Sequence, residues 1–370
     1  MAKKVYTKDY YSLDHILQHK SSYYVIIGER SNGKTYSVKS HMLKKQRGGG
    51  GKFLYLRRKH KYITRQKMYK LFNDMEDLCV DIYDSTIQYK NDIGFYVETD
   101  SGIDVLGYCT SIEDAMDFKG VPFNDVTTIF FDEFMDYTYF EDEIRRFLNI
   151  ISTVVRNREN LEIFMVANTI SRYCPYFELL RVEVQKLQQG KIHILNHKGG
   201  VSVAVEYCKS LSINSGSKKE KKHKYLGFDD NENVKMILYG EFEQKDVEVK
   251  SVDGKGWDIV KRRLPVYVTY AGDVFEISLH IDKDYIAFVR TVNTQDGKVK
   301  RSTKYNIAVD NSVTLVTIDG IVPRYKRISK FMGTEIVNMF DTVRECVRCG
   351  RIVYDNALTG TEFEEIIAKI

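Results

Sequence analysis

The sequence predicts an α/β protein: a parallel sheet with packed helices in the N-terminal part, followed by a smaller, strand-rich α+β domain. Three observations carry that expectation. Tyr23-Tyr24-Val25-Ile26-Ile27 is a short β-rich apolar run that ends at Gly28 and leads through a glycine-containing turn into a helical stretch. Thr127-Thr128-Ile129-Phe130-Phe131 is a second buried-strand signal, and it ends in Asp132-Glu133. Around these, apolar runs alternate with segments of helical spacing, as expected of a sheet with a parallel core.

Taken in order, the first strand is followed by a helix to about Gln46 and then by Arg47-Gly48-Gly49-Gly50-Gly51-Lys52, which predicts a flexible loop. Phe53-Leu54-Tyr55-Leu56 reads as the next strand. Residues 80 to 112 read as an antiparallel meander, with Ile82, Tyr83, Ile87, Tyr89, Phe95, Tyr96 and Val97 alternating with polar positions. Glu141 to Val155 has helical spacing of Ile144, Phe147, Leu148, Ile151, Val154 and Val155. Leu161 to Val166 is a further strand that runs into Ala167-Asn168. A first domain therefore spans 1–207. Residues 209–233 are polar and carry the run Lys218-Lys219-Glu220-Lys221-Lys222-His223-Lys224, which predicts a linker or lid subdomain over 208–245. The last domain, 246–370, has strand signals at 266–270, 275–281, 286–292, 307–309 and 313–318 and a helix around 333–347.

Composition bounds the function. At 370 residues the chain exceeds one ordinary domain, and 43% hydrophobic with 29% charged residues is a soluble globular balance. No apolar run approaches the roughly 20 residues that span a bilayer, so no membrane partner is expected. The start, MAKKVYTKDYY, lacks the apolar core of a secretory signal. Six scattered cysteines predict free thiols in a reducing compartment. Net charge is only +5, but its distribution is uneven: twelve Lys/Arg and no acid lie between Lys39 and Lys70, then twelve Asp/Glu and one Lys between Asp74 and Asp117. A basic block of that purity predicts contact with nucleic-acid phosphates, against the alternative of a solvated surface balanced by the neighbouring acids.

Gly28-Glu29-Arg30-Ser31-Asn32-Gly33-Lys34-Thr35 fits the P-loop pattern G-x-x-x-x-G-K-[ST] between a strand and a helix. Its glycines let backbone N–H groups wrap phosphates at the positive end of a helix. Lys34 is expected on the β- and γ-phosphates of ATP and Thr35 on Mg²⁺. Asp132 at the end of an apolar strand is a second Mg²⁺ ligand, and Glu133 beside it can polarise a water, which favours an ATPase over a kinase. Asn168, ending the following strand, can touch the γ-phosphate or that water. Arg156 follows the 141–155 helix and can reach a neighbouring subunit's ATP. Lys44, Lys45, Arg47 and Lys52 flank the glycine run and are the expected DNA contacts, whereas Arg57 and Arg58 end a strand near the P-loop and point to the nucleotide or a subunit interface. Cys346-x-x-Cys349 lacks a second pair or a nearby His, so zinc is not expected. Asp273, Asp282, Asp284, Asp310 and Asp319 read as turn residues in preference to nuclease metal ligands.

The strings SLDHIL…YYVIIGERSNGKTYSVK, FLYLRRKHK, TTIFFDEF, FLNIISTVVRNRE and FMVANTISRYCPYF, in that order, resemble the DNA-packaging (encapsidation) ATPases of φ29-like podophages, small relatives of large-terminase motors. They cover most of residues 12–180; the last domain matches only in size and strand-rich character. The resemblance implies an ASCE-type P-loop ATPase with Glu133 as catalytic base, Arg156 as a trans-acting finger and Arg30 as the P-loop arginine. It implies a homo-oligomeric ring, pentameric, at the portal vertex of a procapsid in the host cytoplasm, with double-stranded DNA as substrate and a scaffold RNA as a further partner. It also implies an RNase H-like C-terminal domain, nuclease-inactive and used to bind nucleic acid or portal. Helicase-like or recombination DNA-dependent ATPases, a nuclease-active terminase large subunit and a non-catalytic nucleotide-binding scaffold are the competing readings.

Overall fold

The computed structural model describes residues 10–242 apart from 116–122, 124, 137, 141, 157–159, 173 and 211–238. Beyond 242 it describes the strands given below and the short stretches 345–346, 348–349, 351–354 and 359–364. Two compact units divide between Phe242 and Glu243. The expected linker or lid falls mostly on 211–238, outside the described residues, while 208–210 and 239–242 belong to the first unit. No described helix is long and apolar enough to cross a membrane.

In the first unit the elements run α1 (Asp14–Leu17), β1 (Tyr23–Gly28), α2 (Lys34–Arg47), β2 (Lys52–Arg57), α3 (Arg65–Tyr69), α4 (Glu76–Tyr83), β3 (Gln88–Lys90), β4 (Gly94–Thr99) and β5 (Gly102–Ser111). They continue with β6 (Val126–Asp132), α5 (Glu143–Val155), β7 (Glu162–Asn168), α6 (Pro175–Leu179), β8 (Lys191–Asn196) and β9 (Ser202–Tyr207). Nine strands form one sheet in the order β3-β4-β5-β2-β6-β7-β1-β9-β8. The six from β5 to β9 are parallel, and an antiparallel hairpin closes each edge. Strands this apolar must be covered on both faces. Alternation along β1 sends Val25 and Ile27 to one core and Tyr24 and Ile26 to the other. α5 covers the first with Phe147, Ile150, Ile151 and Val154, and α2 covers the second with Val38, Met42 and Leu43. Each such buried side chain contributes roughly 1.5–3 kcal/mol.

Two expectations change. The meander starts only at Gln88, because Ile82 and Tyr83 lie on α4. There Cys79 and Tyr83, four residues apart, face inward as a helix requires. The glycine run is a tight turn instead of a free loop. The N–H groups of Gly48, Gly49 and Gly50 donate to carbonyls of the last turn of α2, and Thr127 Oγ1 donates to Gly50 O. A side chain at Gly51, where φ is +85°, would stand 2.6 Å from Thr127 Cγ2 and 2.7 Å from Asp125 O, so glycine is required there by close packing.

The second unit contains β10 (Asp258–Ile259), β11 (Val266–Tyr270), β12 (Asp273–Asp282), β13 (Asp284–Val292), β14 (Thr294–Gln295), β15 (Lys298–Val299), β16 (Leu315–Thr317) and β17 (Ile352–Tyr354). β11, β12 and β13 form an antiparallel meander, β16 adds parallel to β11, β17 adds parallel to β13, and β10 pairs with β12. Phe275, Ile277, Tyr354 and Phe363 are buried, which gives this strand-rich unit its own core. Asp282 and Asp284 are register partners at the β12–β13 turn, as expected of turn formers. Asp310, Asp319, the strand expected at 307–309 and most of the helix expected at 333–347 lie outside the described residues.

Candidate nucleotide-binding site

Parallel pairing brings the C-terminal ends of β1, β7 and β6 side by side, with Gly28 opposite Asn168 and Asp132 opposite Val166. One strand, β7, thus separates the P-loop strand from the acidic strand. Between Gly28 and Lys34 the backbone takes left-handed angles at Ser31 (φ +64°) and Gly33 (φ +96°). Lys34 then opens α2 with its N–H groups directed at the turn, the geometry of an anion cradle.

Lys34 is 4% exposed, and its ammonium is held by backbone and side-chain oxygens. Nζ donates to Glu29 O (2.6 Å), Asn32 Oδ1 (3.1 Å), Gly28 O (3.3 Å) and Asn168 Oδ1 (3.5 Å). Asn32 is buried within the loop, and its Oδ1 also accepts from the Lys34 backbone N–H at 3.2 Å. Arg30 is exposed at the crest of the loop. Beside Lys34, Thr35 Oγ1 donates to Asp132 Oδ1 at 3.2 Å. Asp132 Oδ2 accepts from Tyr55 OH at 3.1 Å and stands 3.7 Å from Arg57 Nη1. Burial pushes the Asp132 carboxyl above its ordinary pKa; the Arg57 charge and the hydroxyls of Tyr55 and Thr35 oppose that rise, and the Glu133 charge adds to it.

Glu133 sits just past the end of β6 at φ +51°, a strained conformation for a non-glycine residue, and its side chain is 58% exposed. Arg57 Nη2 pairs with its carboxylate, Nη1 donates to Tyr55 OH at 3.1 Å, and the guanidinium lies over the Tyr62 ring at 5.0 Å. A cleft of about 980 Å³ opens beside Lys34, Thr35, Asp132, Glu133 and Asn168 and extends past Tyr10 and Tyr11. The residues fit a Mg²⁺–nucleotide complex. A hydroxyl and a carboxylate oxygen, both hard donors, already touch, and a glycine-lined cradle with one buried ammonium lies next to them.

Thus Gly28, Gly33, Lys34, Thr35, Asp132, Glu133 and Asn168 come together. Arg156 does not join them: exposed at the C-terminal end of α5, it is separated from the catalytic end by the length of a 13-residue helix, about 20 Å. Lys44, Lys45, Arg47 and Lys52 surround the end of α2 and the start of β2, most of a helix length from Lys34. Lys45 pairs with Glu162 at 2.9 Å, Lys52 with Asp125 at 3.3 Å, and Arg47 lies over Tyr83 at 5.9 Å, while Lys44 is exposed along the cleft. Arg58, expected at a nucleotide or subunit interface, is instead 2% exposed and locked onto Glu143. Tyr55, Asn32 and Arg57's partners were the parts of the site that sequence reasoning missed. A tyrosine inside an apolar strand and an asparagine in a turn carry no spacing signal.

Residues 5–253 match the family model of the Podovirus DNA encapsidation protein (Gp16). The DNA packaging proteins of Bacillus phages phi29 and PZA are each 28% identical over 156 residues, which is 41% of this chain and 44% of theirs. The match therefore spans less than half the length of these relatives. Among solved structures, the bacteriophage Phi-29 viral genome packaging motor assembly aligns over 97% of this chain and 99% of that one, with a TM-score of 0.56 at 20% identity. The Phi-28 gp11 DNA packaging motor aligns over 97% of each chain with a TM-score of 0.53 at 16% identity. At such identities the likeness establishes the fold.

Proposed function

The chain belongs to the Podovirus DNA encapsidation protein (Gp16) family, and on that premise we propose that it is the ATP-hydrolysing subunit of a viral genome-packaging motor that drives double-stranded DNA into a procapsid. The observation that carries this reading is the convergence of Lys34, Thr35, Asp132, Glu133 and Asn168 at the C-terminal ends of three neighbouring strands.

In this mechanism the backbone from Gly28 to Gly33 and the Lys34 ammonium hold the β- and γ-phosphates, and Arg30 stands over the loop as a second cation. Thr35 and Asp132 would hold Mg²⁺, which neutralises phosphate charge when bound. Glu133 orients the attacking water and accepts its proton, and Asn168 holds the γ-phosphate end in line. Glu133 must first leave Arg57, because a carboxylate paired with a guanidinium is a poor proton acceptor. Arg156 lies too far from its own nucleotide, so its role as a finger is in trans, on the neighbouring subunit of a pentameric ring. That ring works at the portal vertex in the host cytoplasm, with a scaffold RNA as a further partner. Residues 246–370 form an RNase H-like, nuclease-inactive domain that binds nucleic acid or portal.

ATP turnover with and without procapsids and duplex DNA tests the proposal. Glu133→Gln is expected to retain ATP binding and lose turnover; a parent chain whose turnover ignores both additions would overturn the motor reading. Duplex-stimulated turnover accompanied by strand unwinding would favour a helicase-like enzyme.

A further inference from the structure

The basic block between Lys39 and Lys70 divides into two halves with different surroundings. In the first half most charges are neutralised inside the molecule. Lys39 pairs with Asp74 at 2.5 Å, Lys45 with Glu162 at 2.9 Å and Lys52 with Asp125 at 3.3 Å, while Arg58 is buried against Glu143. In the second half Lys61, Arg65, Lys67 and Lys70 are all exposed, and none has an acidic partner among the described residues.

Local sequence explains that exposure. α3 is a single turn anchored by one buried side chain, Met68, with Phe72 buried just beyond it, so its remaining side chains face outward. Lys67 Nζ donates to Lys61 O at 2.7 Å, and the Lys61 and Lys67 ammonium groups lie 5.1 and 5.2 Å from the Tyr62 ring. The ring face offsets their mutual repulsion without neutralising either charge. Tyr69 is 60% exposed. The segment follows the C-terminal end of β2, so it stands on the same edge of the sheet as the P-loop. Arg57, which pairs with Glu133, shares the Tyr62 ring with the two lysines.

We propose that duplex DNA seats its phosphate backbone on the surface formed by Lys61, Arg65, Lys67 and Lys70, and not on the residues flanking the glycine run. The inference rests on the packaging reading and names where its substrate is gripped. Four unneutralised cations beside one exposed aromatic suit sequence-blind phosphate contact; single-strand binders rely instead on several stacking rings.

The test compares three full-length proteins binding a short random-sequence duplex across a salt series: the parent, K61Q/R65Q/K67Q/K70Q, and K44Q/K45Q/R47Q/K52Q. Loss of four phosphate contacts should lower the slope of log affinity against log salt by about 3 to 4 in the first variant. The second variant should lose less than half as much. A larger loss in the second variant, or an unchanged slope in the first, overturns the proposal. If the first variant melts early, K61Q/R65Q and K67Q/K70Q made separately should each lose about 2 in slope. A parent that binds no duplex overturns this proposal and the packaging reading together, whereas duplex-stimulated turnover with an unchanged slope overturns this surface alone. Preference for single-stranded nucleic acid, with a loss of about tenfold or more on Tyr69→Ala, overturns the duplex as occupant.

Discussion

Arg57 and Arg58 are neighbours in sequence, yet alternation at the end of β2 sends them into opposite environments. Arg57 reaches the P-loop edge, where it touches Asp132, Glu133, Tyr55 and the Tyr62 ring and faces a largely exposed carboxylate. Arg58 goes into the core. Its Nε and Nη2 grip both oxygens of Glu143 at 2.5 and 2.7 Å, Nη1 donates to Asp136 at 2.7 Å, and Nη2 also reaches Thr138 O at 2.6 Å. Tyr176 OH and the Phe140 N–H complete Glu143, and the Tyr139 ring lies 4.4 Å from the guanidinium. The same residue type therefore does two jobs. A buried, fully satisfied pair fixes where α5 starts, and a pair at the open edge can be exchanged during a reaction cycle.

The largest expected effect falls on the buried pair. Arg58→Ala leaves Glu143, itself fully buried, without its cation and should cost about 3–5 kcal/mol in chemical denaturation. An Arg58→Met/Glu143→Leu double variant should recover most of that loss; failure to recover would mean that the pair contributes more than it costs to desolvate. Next comes the glycine turn, where Gly51→Ala combines a left-handed backbone with a clash and should cost about 2–3 kcal/mol. A neutral result in thermal melting would restore the free-loop reading.

Arg57→Ala should cost about 1–2 kcal/mol, less than Arg58→Ala, because Glu133 is mostly exposed while the buried Asp132 loses a nearby cation and Tyr55 a donor. It should instead raise DNA-independent kcat several-fold with little change in KM, by releasing Glu133. A variant that loses as much stability as Arg58→Ala and keeps the parent's kcat would erase the contrast with Arg58.

The smallest effect belongs to Glu162. Burial acts to raise its pKa, but hydrogen bonds from His41 and Lys45 outweigh it and hold the carboxyl below its ordinary value. Its ionised form therefore stabilises the fold above the unfolded pKa of about 4.3, and that contribution is lost as pH falls through the lower folded value. Glu162→Gln should cost about 1 kcal/mol near neutrality and progressively less below about pH 4, as read from denaturation midpoints across pH.

Much of the site was legible because its chemistry demands particular residues at fixed spacing. Gly28, Gly33, Lys34 and Thr35 form one short string, and Asp132-Glu133 ends an apolar run. The second halves of the contacts were not legible. Tyr55 meets Asp132 across 77 residues, and Arg58 meets Glu143 across 85. Charge patterning failed in an instructive way. It marked residues 39–70 as one basic surface, but Asp74, Asp125, Glu143 and Glu162 lie outside that stretch and return to neutralise four of its twelve cations, and Glu133 and Asp136 pair with two more. The end of α4, residues 80–83, carries a strand-like signal because Ile82 and Tyr83 lead into the apolar positions of the meander that follows.

By itself the sequence determined the strand–P-loop–helix unit, the acidic strand end and the alternation that makes a parallel sheet, since these follow from local backbone preference and side-chain periodicity. Only the tertiary structure decided that one strand separates Lys34 from Asp132, that Glu133 rests on Arg57, that the glycine run is a packed turn, and which lysines face solvent. Those outcomes depend on which distant acids and carbonyls are brought within about 3 Å of each cation, and strand order, which local preference does not encode, sets that distance.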